Sequence, residues 1–80
     1  MNKQKIIDNI CYTELVYGRI NKKLDIDFSK QQTEEYILKI LKETDEIFFR
    51  KKSKNYYVTN TNKNIRITIN SNTFRVITVD

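Results

Sequence analysis

The chain predicts an α+β domain in which two N-terminal helices pack on a C-terminal four-stranded antiparallel meander. Three observations predict it. Apolar residues in the first half recur at three- and four-residue spacings, whereas from Ile47 onward the period falls to two. Eighty residues with 39% apolar content can form one small core, hence one domain over residues 1–80. There is no proline and one glycine, Gly18, which argues against a linker-rich or disordered chain.

The first helix is expected over about residues 3–24. Ile6, Ile10, Tyr17, Ile20 and Leu24 form its apolar stripe, with Ile7 and Cys11 alongside. An interruption is expected near Cys11-Tyr12-Thr13. Thr13 then serves as N-cap, and Glu14 sits in the first turn against the helix dipole. Gly18 in mid-helix costs roughly 1 kcal/mol relative to alanine, so either the backbone packs closely there or the helix is weak. Asp25 to Phe28 reads as a loop with Ile26 and Phe28 tucked beneath it.

The second helix is expected over about 29–44. Ser29 caps it and Gln32, three residues on, completes a capping box. Tyr36, Ile37, Ile40 and Leu41 make its buried stripe, and Glu35 and Lys39 an exposed pair. Asp45-Glu46 ends it.

Strands follow at about 47–51, 55–60, 64–70 and 73–79, with polar turns between them. The final hairpin carries the clearest pattern. Ile65, Ile67 and Ile69 alternate with Arg66, Thr68 and Asn70, as in a strand with one buried and one wet face. A turn centred on Ser71-Asn72 pairs Ile69 with Phe74, Ile67 with Val76 and Ile65 with Thr78. Without glycine, a longer loop is the other option, and Asn70 or Asn72 is the expected site of positive φ. The last strand is apolar on both sides near its end, which predicts an inner position in the sheet.

Charge divides the chain. Residues 1–46 carry a net −1 and residues 47–80 a net +6. There is no histidine and one cysteine, so ordinary zinc sites, Ser-His-Asp and Cys-His catalysis and an intrachain disulfide are excluded. No glycine-rich phosphate loop is present, and no metal or cofactor is expected. MNKQKIIDNI lacks the apolar region of a signal peptide, and no apolar run reaches the roughly 18 residues of a membrane span. A cytoplasmic location without membrane association is therefore expected.

What remains is basic and aromatic. Arg50, Lys51, Lys52 and Lys54 lie next to Tyr56 and Tyr57, and Arg66 and Arg75 lie on the later hairpin. Cations on a sheet can meet phosphates while tyrosines stack on unpaired bases. A solvated lysine-rich turn and half-buried strand tyrosines would give the same residues, and Arg66 and Arg75 could instead pair with helix acids.

Thr13-Glu14-Leu15 with Arg19-Ile20, Lys54-Asn55-Tyr56-Tyr57, Ile67-Thr68-Ile69-Asn70 and Ile77-Thr78 resemble a small bacterial family of uncharacterised proteins, domain of unknown function 3781. The resemblance runs from about Ile10 to the C-terminus and implies no activity. Its members often carry Ala-His after the final Ile-Thr, where this chain has Val79-Asp80. The architecture is also similar to the small ribonuclease toxins of toxin–antitoxin systems, some of which cleave RNA with Lys, Arg and Tyr. That likeness would give Arg66 and Arg75 a transition-state role, with Tyr57, Tyr56 or Lys54 moving the proton.

The leading expectation is thus a domain that engages RNA or another nucleic acid through its sheet, with metal-independent RNA cleavage as a sub-version. The alternative is a non-enzymatic inhibitor or adaptor from a phage or mobile element, of the anti-CRISPR kind, acting on an acidic or nucleic-acid-binding protein. Homodimerisation through an exposed edge at Ile47 to Arg50 is a third expectation.

Overall fold

The computed structural model describes residues 2–80; Met1, which the one-domain reading included, lies outside them. In chain order come α1 (Asn2–Asn9), α2 (Val16–Leu24), α3 (Lys30–Glu43), a 3-10 turn (Glu46–Phe48), β1 (Phe49–Lys52), β2 (Asn55–Asn60), β3 (Ile65–Asn70) and β4 (Val76–Val79). The strands form an antiparallel sheet in the order β1-β2-β3-β4. The α+β class and its helices-first order are as the sequence predicts.

The expected first helix is two helices. Between them residues 10–15 belong to neither helix, and Cys11 bridges in parallel to Arg75. Its N–H donates to the Phe74 carbonyl at 2.9 Å, and its carbonyl accepts from Val76 at 3.0 Å. Those bonds explain the interruption: the segment's backbone is recruited to the edge of β4. Thr13 is not the cap. Leu15 precedes the first helical residue and no side chain caps α2, while Glu14 turns away to pair with Lys30.

Helix α3 forms as its sequence dictates. Gln32 N–H donates to Ser29 Oγ at 3.1 Å and Ser29 N–H to Gln32 Oε1 at 2.9 Å, so both halves of the capping box are present. Ile37, Ile40 and Leu41 are buried, together with Thr33, whose hydroxyl donates to the Ser29 carbonyl. Glu35 accepts from Gln31 at 3.0 Å rather than pairing with Lys39. At the C-terminus Lys3 donates to the carbonyls of Lys42 (2.9 Å) and Thr44 (2.7 Å), placing a cation where the helix dipole favours one.

The first strand starts later than expected. Asp45 Oδ1 accepts from Ile47 N–H at 3.2 Å and its carbonyl from Phe48 at 3.0 Å, closing a 3-10 turn. Ile47 is left 68% exposed. Strand β2 has the expected bounds, and Asn64 enters the turn before β3 with φ of 54°.

The final hairpin keeps its strands but not the expected register. Ile69 pairs with Val76, Thr68 with Thr78 and Ile67 with Val79. Two local causes act together. Asn70 Oδ1 accepts from Asn72 N–H (2.8 Å) and Thr73 N–H (2.9 Å), which folds a wider loop. A bulge between Val76 and Thr78 then leaves Ile77 without a partner. Regular alternation would turn one of Val76 and Val79 outward; the bulge buries both. Positive φ falls on Phe74 (59°), not on Asn70 or Asn72. Its ring stacks with Tyr56 at 6.3 Å and its carbonyl holds Cys11, contacts that offset an unfavourable backbone. Strand β4 is also an edge strand, not an inner one; its free side is covered in part by Cys11.

The core lies between the helices and one sheet face. Ile6, Val16, Ile20, Ile37, Ile40 and Leu41 meet Phe49, Tyr56, Val58, Ile65, Ile67, Ile69, Val76 and Val79. Its polar link is Asn60, which donates to Thr44 Oγ1 at 2.9 Å, while Thr44 donates to the Ile40 carbonyl at 2.6 Å. No helix among the described residues is long and apolar enough to cross a membrane.

Two substitutions test this account. A Cβ at Gly18 would meet nothing within 4 Å. Gly18→Ala is therefore expected to stabilise the protein by about 0.5–1 kcal/mol in denaturant unfolding. Thr44→Val keeps the shape but strands the buried Asn60 amide, and should cost about 1–3 kcal/mol in the same measurement.

Candidate functional site

Burial alternates along β2, so Tyr56, Val58 and Asn60 face the helices while Asn55, Tyr57 and Thr59 face outward. The two adjacent tyrosines therefore part company. Tyr56 is 6% exposed and belongs to the core, which removes it as a stacking platform. Tyr57 remains half-buried on the open face.

Register sets its neighbours. Arg50 pairs with Tyr57, Tyr57 with Thr68, and Thr68 with Thr78, giving one cross-strand row over all four strands. The next row pairs Thr59 with Arg66, and Lys52 pairs with Asn55 on the other side. The Arg66 guanidinium lies 5.9 Å from the Tyr57 ring centroid, within cation–π range. Asn55 donates a long 3.5 Å contact to the Tyr57 hydroxyl.

Together Arg50, Lys51, Lys52, Ser53, Tyr57, Thr59 and Arg66 line an open depression of about 870 Å³. Lys51 pairs with the buried Tyr56, so it borders the depression from the helix side of the strand. The ion pairs among the described residues are Lys23–Asp80, Lys30–Glu14 and Lys63–Glu43, and none uses a cation of this face. The expected pairing of Arg66 and Arg75 with helix acids does not occur.

Two predicted residues stand apart. Lys54 is exposed in the β1–β2 turn, where its carbonyl accepts from Ser71 N–H and Oγ, both at 2.8 Å. Arg75 lines a different depression, with Thr13, Leu15, Val16, Arg19, Val76 and Ile77. Arg66 and Arg75 thus do not converge on one phosphate.

A titratable cluster that sequence reasoning missed lies across the helices. The rings of Tyr12 and Tyr17 stack at 5.4 Å, and the Tyr17 hydroxyl donates to Glu34 Oε2 at 2.6 Å. The Lys30 ammonium lies 5.6 Å from the Tyr17 centroid and pairs with Glu14. Nothing in the sequence marks these five as neighbours, and two of them, Tyr12 and Glu14, lie outside the helices.

The hydrogen bond to Glu34 holds the Tyr17 phenol up to about 12. Burial, then the charge of Glu34, pushes the Tyr12 phenol well above its ordinary value. Both shifts favour the neutral phenol. For Tyr17 the stabilisation is complete below the unfolded value of 10.0 and is lost as pH rises through about 12. An ultraviolet titration of the folded protein should show Tyr12 and Tyr17 ionising late, and Tyr17→Phe should remove one late phenolate while softening the alkaline loss of stability between those values.

No curated protein and no solved structure shows significant similarity to the chain. The family described as "Protein of unknown function (DUF3781)" matches residues 4–80, nearly the whole chain. The α+β sheet with its basic open face therefore belongs to a member of the DUF3781 family.

Proposed function

We propose that the open sheet face binds single-stranded nucleic acid, RNA in the first instance. One observation carries this reading: Arg50, Lys51, Lys52 and Arg66 border a single depression around Tyr57, and none of them is paired with a carboxylate. Cations left free on a surface meet phosphates by releasing counterions, and an outward tyrosine offers a face on which an unpaired base stacks. The antiparallel rows fix the spacing, since Arg50 and Tyr57 are cross-strand partners and Arg66 sits beside the same ring.

Cleavage is a further step of the same reading. Tyr57 is the one phenol on this face, so its hydroxyl would protonate the departing 5′-oxygen as the adjacent ribose 2′-oxygen, its proton passing to water, attacks phosphorus to close a 2′,3′-cyclic phosphate, while Arg66 offsets charge building on the phosphate. Arg75 has no part in that step.

Binding of a short fluorescent oligouridine should weaken with salt, with a logarithmic slope near −0.7 for each phosphate contact. Arg50→Ala and Arg66→Ala should each reduce the slope by about that amount. Tyr57→Ala should cost about 1–3 kcal/mol of binding with little change in slope. Each variant should unfold like the parent. Absence of binding at low salt overturns the proposal; intact RNA after incubation, with or without EDTA, removes the cleavage step alone.

A further inference from the structure

We propose that a second surface, where α2 begins beside β4, docks an acidic protein segment through one apolar anchor. It is separate from the sheet face and does not depend on that reading. Leu15 is 77% exposed and Ile77, the bulge residue, 37% exposed. The two border one depression of about 250 Å³, with the buried Val16 and Val76 also lining it. Arg19 and Arg75 complete the rim, and none of the ion pairs among the described residues uses either.

The composition of this rim selects the occupant. Two unpaired guanidiniums beside two exposed aliphatic side chains match a segment that offers carboxylates around an apolar residue. The hollow admits a side chain from outside, which a flat patch would not. A second copy of this chain fits poorly, because a symmetric contact would bring four arginines together. A nucleic acid would satisfy the arginines but leave Leu15 and Ile77 unused.

The test uses fluorescence anisotropy of a labelled peptide with a central phenylalanine between runs of glutamate. That peptide should bind, and replacing its phenylalanine by alanine should weaken binding by about tenfold or more. Leu15→Asp and Arg75→Glu should each produce a loss of similar size, whereas Tyr57→Ala should leave binding unchanged. Leu15→Asp is expected to fold, since it removes an exposed side chain and adds an acid at the start of a helix. Equal binding of the phenylalanine and alanine peptides would reduce the effect to net charge and overturn the proposal. So would Leu15-dependent binding of anionic phospholipid vesicles in place of the peptide, or indifference to both substitutions. Loss of oligouridine binding with retained peptide binding would defeat the sheet-face reading and leave this one standing.

Discussion

The sheet has a single apolar face, and that constraint governs the molecule. Ile65, Ile67 and Ile69 are all buried on β3, with Val58 and Tyr56 beside them on β2. Each buried isoleucine contributes on the order of 2 kcal/mol, so a chain this small has no stronger source of stability. Three helices supply enough apolar side chains to cover that face. None remain for the other, and the alternate positions of the same strands are free to carry Arg50, Tyr57, Thr59 and Arg66 into solvent.

Charge follows the same division. Acids on the helical half find partners close by: Glu14 with Lys30, Glu43 with Lys63, Glu34 with the Tyr17 hydroxyl. Asp80, the acid beside Arg66, is taken by Lys23, and the ion pairs among the described residues leave the cations of the outward sheet face without a carboxylate. Exposed pairs are individually weak, about 0–1 kcal/mol, so adding such partners would have changed stability little. Their absence matters for what approaches the surface more than for what holds the fold.

The sequence was most legible where one local pattern agreed with burial. Ser29 and Gln32 announced α3, period two announced β2 and β3, and Arg66 could be placed on the wet face by counting from Ile65. It was least legible where a side chain captured the backbone. Asp45 turned the start of the expected first strand into a 3-10 turn, and Asn70 widened the last loop. The bulge at Ile77 answers a spacing of three between Val76 and Val79, which only burial of both makes necessary. Period two also implied that Tyr56 and Tyr57 take opposite faces, but which one faced outward depended on the register with β3. Arg75 stays in the hairpin with Arg66, where its carbonyl accepts from Asn70 N–H, but beside Cys11 it lines a separate depression at α2.

Cys11 and Arg75 are among the most widely separated partners in the chain, and their bridge ties the N-terminal half to the final strand. Contacts of such long sequence separation form only after an entropically costly loop has closed. During synthesis the helices emerge first, yet the sheet they cover is encoded entirely after them. Until residues near Val76 have left the ribosome, the apolar stripes of α2 and α3 have no complete surface to rest on. The nascent protein is therefore most exposed to chaperones just before its last strand appears.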